Sequence, residues 1–480
     1  MQNHSEVGKR YLTLLMYRIW STLSYQMMMV AIGWHLFDLT DSVISLGLMG
    51  LAELIPFFLL SLYAGHAVDH YSRRMIAILA CILHVFIGLL LMAVAFGYFD
   101  SPVILIYVGV ALLGVGRALL RPSFQSLFGD IVPREQTPKY SAYSSAAFQG
   151  CIMTGPAIGG LLIAYVGLPW TYLISGLAAL LGWYFVAILK IQTRQVQEQG
   201  QSFIGSLFEG LHYVRNHSLL MPVMMIDMLA VLFGGAVSML PAFVKDVLGA
   251  GPETLGILRA APAIGAVLVG IYLARRPILQ HSGRYMFLGV IGFGLAIIAF
   301  SMTTNVWFSA LFLFISGACD SVSVVIRNAV LQLSSPDNMR GRISSINGIF
   351  VGSSNELGAL ESGLAASVMG LVPSIAFGGA VTVLVAIGFY IQSASLRNLK
   401  LQELFNKGLV SNHDILQTTG DQLLTNVKTR EDSLKALERE KKAAELALDL
   451  EIQRGIQLDK NKSIYEQSVY NKSIGFEKQS

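Results

Sequence analysis

Twelve apolar stretches, each close to the length that an α-helix needs to cross a lipid bilayer, constrain the fold of this chain more than any other feature. A membrane-spanning helix takes about 20 predominantly apolar residues. The stretches lie at 11–37, 43–66, 75–97, 102–121, 141–163, 169–190, 219–243, 254–274, 285–303, 306–328, 343–365 and 371–396. A soluble all-helical core is the alternative, but twelve such runs exceed what one core can bury. The sequence therefore predicts an all-α membrane protein with twelve transmembrane helices.

Charged residues are distributed unevenly between this apolar body and the end of the chain. The first 400 residues carry 39 charged side chains, whereas residues 401–480 carry 25. An ordinary soluble domain has about 25% charged residues, so the body has too few to cover a surface in water. We expect a charged, helical tail at 401–480 that is either solvated or docks on a protein partner. The net charge of +4 and the lack of a basic cluster with interleaved aromatics argue against nucleic acid.

Basic residues mark one alternate set of the loops between these stretches. That set carries Lys9, Arg10, Arg73, Arg74, Arg134, Lys139, Lys190, Arg194, Arg215, Arg275, Arg276, Arg284, Arg340 and Arg342. The other set carries only Lys245. Because cytoplasmic loops are enriched in Lys and Arg, we expect both termini to be cytoplasmic. The predicted location is a bacterial-type inner (plasma) membrane, crossed many times.

Two pairs of segments show that the body contains an internal repeat. Residues 133–170 match residues 336–373 at an offset of 203, which pairs Gly160 with Gly363. Near the start of each half, an offset of 209 pairs Gly47 with Gly256. Two six-helix repeats are the usual architecture of an alternating-access transporter, which holds its substrate at the repeat interface.

The domain boundaries follow from this repeat and from the longest loop. We expect an N-terminal six-helix bundle at 1–190, a C-terminal bundle at 219–400 and the tail at 401–480. A cytoplasmic linker at 191–218 joins the bundles. Its apolar residues recur at helical spacing and predict an amphipathic surface helix; they are Phe203, Leu207, Leu211 and Val214.

The loop after the second stretch carries the most specific motif, which runs from Gly65 through Asp69 to Arg73 and Arg74. It resembles the signature loop of the major facilitator superfamily, G-x-L-x-D-R-x-G-R-R/K. It departs from that pattern at three positions, occupied by Ala67, His70 and Ser72. The resemblance implies that Asp69 and Arg73 form a cytoplasmic latch holding the outward-facing state. A merely basic cytoplasmic loop is the alternative.

Two further motifs support the same resemblance. Arg117, in Gly114-Val115-Gly116-Arg117, is similar to the superfamily's helix-4 arginine, which is often tied to proton coupling. We expect Arg117 to serve gating together with Gly65, Asp69, Arg73 and Arg74. Gly155, Pro156, Gly159 and Gly160 fit the pattern G-P-x-x-G-G and resemble the core of the helix-5 antiporter motif. The antiporter motif implies a pliable, closely packed helix and favours export over uptake. Ordinary glycine-mediated packing is the alternative.

Ionisable residues inside membrane helices are functional candidates by default. Here they are Arg18, Glu53, Asp227, Asp320, Glu356 and Glu361. The resemblance places Asp227 and Asp320 on cavity-lining helices, where a carboxyl group in low dielectric could exchange a proton near neutral pH. The alternatives are a structural Asp320–Arg327 pair and, for Asp227, a position at the cavity lip. Arg18 could attract an anionic substrate or snorkel to the interface.

The resemblance covers about residues 10–400 and is closest to the enterobactin-exporter-like and macrolide-efflux-like branch. The resemblance does not identify the substrate; our hypothesis is proton-coupled export of an amphipathic small molecule, such as a siderophore or drug-like compound, by alternating access. The sequence predicts no enzyme, since HExxH, GxSxG and Walker A patterns are lacking, and no metal site or cofactor. The alternatives are a proton-coupled importer and a non-transporting sensor or scaffold that acts through the tail.

Overall fold

The computed structural model describes residues 4–70, 72–133, 136–189, 203–336, 339–406 and scattered positions between 435 and 466. Those residues are helical apart from short connections. The helices are α1 (His4–Thr40), α2 (Val43–His70), α3 (Arg73–Ala95), α4 (Pro102–Ile131), α5 (Thr137–Val166), α6 (Leu168–Ile188), α7 (Phe203–Asn216), α8 (Leu220–Phe233), α9 (Leu240–Ala242), α10 (Pro252–Arg275), α11 (Ser282–Ser301), α12 (Val306–Leu333), α13 (Arg340–Met369), α14 (Leu371–Gln392) and α15 (Ala394–Arg397).

The predicted stretches coincide with these helices, and the fold is all-helical as expected. Ten spans in the described part of the chain are long and apolar enough to cross a membrane. The first and eleventh stretches form α1 and α13, which are long helices but less apolar than the others and are not among the ten. The number twelve therefore stays a prediction.

The main deviations from the predicted boundaries have local causes. α4 continues to Ile131, ten residues past its predicted end, because Pro122 does not end the helix. The seventh stretch is broken after Phe233, at Gly234 and Gly235. It continues as a 3-10 turn at Ala236–Met239, the short α9 and a π-turn at Phe243–Val247. Glycine weakens a helix, so the break falls at the glycine pair.

The predicted linker helix is present as α7, although its apolar face is described only in part. Val214 is fully buried, whereas Leu211 is 36% exposed; the side chains of Phe203 and Leu207 lie outside the described residues. α7 is held to α13 by an ion pair between Glu209 and Arg342 at 2.7 Å. Residues Phe405–Ser480 form a separate unit, whose described positions between 435 and 466 are helical.

Glycine crossings show how the repeat is built. At Gly47, α2 meets α13 at Gly363, and at Gly256, α10 meets α5 at Gly160. These two crossings correspond residue by residue at the offsets of 209 and 203 found in the sequence. A Cβ on Gly160 would lie 2.5 Å from the Gly256 Cα atom. Only glycine therefore allows this approach of the two backbones.

The two faces of the body differ in how its halves, residues 4–189 and 219–404, are joined. One hydrophobic cluster contains residues of both halves, including Phe37, Phe243 and Phe300. Next to it, Lys245 pairs with Asp38 and Asp41 of the other half. We call this side the closed face.

The opposite side carries the loops with Arg73 and Arg276, and we call it the basic face. Here each half has its own hydrophobic cluster, one from Tyr11 to Leu189 and the other from Val214 to Leu401. Among the described residues, the hydrophobic cluster at the closed face thus contains both halves, whereas each cluster at the basic face contains only one.

Candidate functional site

A cavity of about 350 Å³ lies between the two halves and contains three ionisable side chains. They are Arg259 of α10, Asp320 of α12 and Glu356 of α13. Most of the remaining wall is apolar or glycine, with Met29, Met49 and Phe293 among the larger contributors. The cavity can therefore accept a small molecule with a substantial apolar part and a few charged or polar groups.

A partly buried cluster of charges beside this cavity connects the two halves. Arg117 of α4 donates hydrogen bonds to Glu53 of α2 at 2.7 Å and to Glu356 of α13 at 2.8 Å. The Tyr25 hydroxyl of α1 donates to the same Glu53 oxygen. The guanidinium also lies over the ring of Phe57, 4.9 Å from its centroid. We call Tyr25, Glu53, Arg117 and Glu356 the Arg117 cluster.

The local sequence explains why Glu53 and Arg117 meet. Gly114 of α4 faces the backbone carbonyl of Glu53, in a space that a Cβ atom would fill. α2 and α4 are thus in direct backbone contact, and Arg117, one turn further along, reaches the Glu53 carboxylate. Glu53 is fully buried, and the hydrogen bonds to its Oε1 atom offset part of its desolvation, whereas its Oε2 atom has no partner in the described chain.

A second buried ion pair joins Asp227 of α8 to Arg327 of α12, within one half. The side chains are only 5% and 7% exposed. In this structure the carboxylate partner of Arg327 is therefore Asp227 and not Asp320, and Asp227 does not line the cavity. Residues seven apart on a helix are separated by about 10 Å along its axis, so Asp227 on the neighbouring helix is much better placed.

Asp320, freed from Arg327, instead lines the cavity. In the described part of the chain it has no ion-pair partner.

Arg259 was missed in the sequence, although it is a charged residue inside an apolar stretch. The criterion that identifies the intramembrane carboxylates, an ionisable residue inside a membrane helix, also identifies Arg259.

The predicted gating residues are described only in part. Arg73 donates to Asp130 of α4 at 2.5 Å, so its carboxylate partner in the described chain is a residue that the sequence did not suggest. Arg74 donates to the backbone carbonyl of Ala187. The surroundings of Gly65 and the side chain of Asp69 are outside what the structure describes.

The glycines of the helix-5 motif pack against two different helices. Gly155 faces Gln26, and Gly159 faces Met27, both on α1. Gly160 faces Gly256 of the other half. Pro156 lies inside α5 without ending it. The helix-5 motif therefore lies where α5 packs closely against α1 of its own half and against α10 of the other half.

Two remaining candidates lie outside the cavity wall. Arg18 donates to the Ser144 hydroxyl at 2.7 Å and stacks on the rings of Phe124 and Phe148. Its contacts thus belong to one half. Glu361 is partly buried on α13 beside Ser362, and Glu356 of the same helix is the one that reaches the cavity.

Comparison with known proteins gives a consistent result. The family model described as "Transmembrane secretion effector" matches residues 9–418. The staphyloferrin A transporter of Staphylococcus aureus is 22% identical over 80% of this chain and 95% of its own length. Macrolide efflux protein A of Streptococcus pyogenes is 23% identical over 77% of this chain and 94% of its own length.

A solved structure supports the same fold. It is that of a bacterial homologue of the human lysosomal transporter Spinster, in an inward-facing and unoccupied conformation. It superposes with a TM-score of 0.64 at 15% identity, covering 85% of this chain and 99% of that one.

Proposed function

Since the chain belongs to the transmembrane secretion effector family of the major facilitator superfamily, we propose that it exports an amphipathic small molecule in exchange for protons. The chain is a multi-pass membrane transporter and not an enzyme. The names of its relatives, a siderophore transporter and a macrolide efflux protein, support a siderophore or a drug-like compound as the substrate. The glycine and proline pattern of α5 supports export over uptake.

The observation that carries the proposal is the hydrogen bond between Arg117 and Glu356. It joins the two halves next to the cavity, and Glu356 itself lines that cavity. A proton on Glu356 removes its negative charge and weakens the attraction to Arg117. Proton binding would therefore loosen a contact between the halves, and return of the proton would restore it. Asp320 would bind either a proton or the substrate in the same cavity.

The orientation of the protein is part of the proposal. The basic face is cytoplasmic, because Lys and Arg accumulate on the cytoplasmic side of membrane proteins. Both termini then lie in the cytoplasm of a cell with a bacterial-type inner membrane. The joined closed face and the divided basic face support an inward-facing state. Asp69, Arg73 and Arg74 would hold the basic face together in the alternate, outward-facing state.

Reconstitution tests the exchange with protons. Purified protein in proteoliposomes is given radiolabelled siderophores and macrolides, with the lumen either more acidic or more alkaline than the outside. We expect accumulation only with an acidic lumen, where protons leave as substrate enters, and no accumulation after a protonophore is added. Accumulation driven by an acidic exterior would instead show symport. No gradient-driven accumulation of any compound would contradict the proposal.

The charged tail is proposed to be an accessory that binds a protein partner. Truncation after residue 404 tests this, since the body forms its own unit. We expect the truncated protein to transport as well as the full chain. Loss of transport on truncation would contradict the accessory role.

A further inference from the structure

Arg259 of α10 is a half-buried arginine that forms no ion pair within the described part of the chain. Its Nε atom is buried and makes no hydrogen bond within the described chain. The Nε atom of Arg327 also lacks a hydrogen bond, but Arg327 is paired with one carboxylate and Arg117 with two. Desolvating a cation is costly unless an anion accompanies it. Arg259 thus bears a cost that the described residues do not offset.

The repeat indicates that packing does not require this arginine. At the offset of 209, Arg259 corresponds to Gly50 of α2. Gly50 allows α2 to approach α13, since a Cβ there would lie 2.9 Å from the Glu356 carbonyl oxygen. The second half carries a long cation where the first half carries the smallest residue. A role in function accounts for that difference better than a role in helix contact.

The position of Arg259 gives its charge access to a ligand. It lines the cavity together with Asp320 and Glu356. Glu356 already pairs with Arg117, and no ion pair joins Arg259 to Asp320 in the described part of the chain. Nearby wall positions are apolar, among them Met29, Met49 and Phe293. A guanidinium matches the geometry of a carboxylate, to which it can donate two parallel hydrogen bonds.

We propose that Arg259 binds the carboxylate of the transported molecule, so that the substrate is an amphipathic organic acid. That the bound acid is transported rests on the proposed function. The binding of a carboxylate by Arg259 does not depend on it. The apolar part of the acid lies against the methionine and phenylalanine side chains of the cavity. The substrate thereby supplies the anion that Arg259 lacks.

A matched pair of fluorescent probes tests this assignment. N-dansyl-L-leucine carries a free carboxylate, and its methyl ester has the same apolar groups without the charge. Binding of both to the purified full-length protein is followed by dansyl fluorescence. We expect the acid to bind at least about tenfold more tightly than the ester, as for a hydrogen bond to a charged group.

Variants identify the residue responsible. Arg259→Met should abolish the preference for the acid, and Arg259→Lys should keep part of it. Arg275→Met is the matched control, since Arg275 is an exposed arginine at the end of the same helix, outside the cavity. It should leave the preference unchanged.

The outcomes separate this proposal from the transport function. Equal binding of acid and ester to the unaltered protein, or measurable binding of neither, would overturn the role of Arg259, and so would a preference that survives in Arg259→Met. If the preference exists and depends on Arg259 while no pH gradient drives transport, the site stands and the export proposal fails. If a pH gradient drives transport but the acid is not preferred, the export proposal stands and the carboxylate site at Arg259 fails.

Discussion

The two buried ion clusters of this protein use the same chemistry in different places. The Arg117 cluster joins α2 and α4 of the first half to α13 of the second. The Asp227–Arg327 pair joins α8 to α12 and stays within the second half. Arg117 has two carboxylate partners, whereas Arg327 has one. If Arg117 loses one carboxylate partner, it still has the other. If Arg327 loses its partner, it has none.

This difference separates contacts that maintain a half from contacts that set the relation between the halves. In an alternating-access cycle, the halves move around a central site. A pair inside one half can remain intact throughout such a cycle. A pair between the halves must change whenever they separate. We therefore expect substitutions in the two clusters to affect different measurements, stability in one case and transport in the other.

The largest predicted effect on stability follows removal of Asp227. Asp227→Ala leaves Arg327 buried without its carboxylate partner. Breaking a buried pair in this way costs about 3–5 kcal/mol. We expect a large fall in the thermal midpoint of the purified protein in detergent, measured by size-exclusion chromatography after heating.

A double substitution tests whether the loss comes from the orphaned charge. Asp227→Leu combined with Arg327→Met removes both charges and leaves no unpaired polar group. Replacing both partners of a buried pair by apolar side chains of similar volume is often nearly neutral for stability. The double variant should therefore be more stable than Asp227→Ala. A double variant as unstable as the single one would show that the pair is not the cause.

Glu356→Gln should show the opposite pattern, with a large loss of transport and little loss of stability. Arg117 keeps Glu53, so no buried cation is orphaned. The side chain can no longer exchange a proton. We expect gradient-driven transport in proteoliposomes to fall at least about tenfold, and the free energy of unfolding to change by about 1 kcal/mol or less.

Glu361→Gln is the matched control for this prediction. It is the same substitution on the same helix, at a carboxylate outside the cavity wall. Transport by this variant should stay close to that of the unaltered protein. If Glu361→Gln were as damaging as Glu356→Gln, the special role of the contact between the halves would be lost.

The comparison also shows what the sequence could and could not predict. The offset of 203 paired Gly160 with Gly363, and the offset of 209 paired Gly47 with Gly256. The structure brings these glycines together in two corresponding crossings. Such contacts are predictable because small residues at repeat-related positions restrict which helix faces can approach closely.

Partners of the buried charges were not predictable in the same way. Arg117 and Glu356 are 239 residues apart, and their meeting depends on the rotation of α4 and α13 about their axes. For Arg327 the sequence offers only an alternative pairing with Asp320 of its own helix, because sequence spacing reports only local neighbours. Its partner Asp227 comes from a helix about 100 residues earlier.

A smaller effect is expected from the glycine crossing at the closed face. In Gly160→Ala the new Cβ would collide with the Gly256 backbone. Such overpacking costs about 1–3 kcal/mol, and the cost is relieved when the halves separate at this face. Ser238, in the 3-10 turn at Ala236–Met239, lines the cavity and serves as the reporter position. We expect faster labelling of Ser238→Cys in a cysteine-free background by a membrane-impermeant maleimide added on the closed-face side.

Gly129→Ala is the control for this substitution, since a Cβ on Gly129 meets nothing within 4 Å. It should leave the labelling rate unchanged. Equal labelling of Gly160→Ala and the unaltered protein would mean that this crossing does not limit opening.

The smallest predicted effect comes from the exposed ion pairs that join the halves at the closed face. Lys245 lies 3.2 Å from Asp38 and 2.9 Å from Asp41, and both carboxylates are more than half exposed. Exposed pairs contribute about 0.2–1 kcal/mol, so Lys245→Met should raise the Ser238→Cys labelling rate by less than about fivefold.

Salt provides the second half of that test. Ions at about 1 M shorten the range of electrostatic interactions to about 3 Å, so the unaltered protein at high salt should label like Lys245→Met at low salt.

Lys400→Met is the matched control, because Lys400 forms an exposed pair with Glu403, three residues away in the same half. Removing that pair should leave labelling unchanged, since it joins nothing that moves apart. If the Ser238→Cys labelling rate rose equally in Lys245→Met and Lys400→Met, the rise could not be attributed to the loss of ion pairs that join the halves.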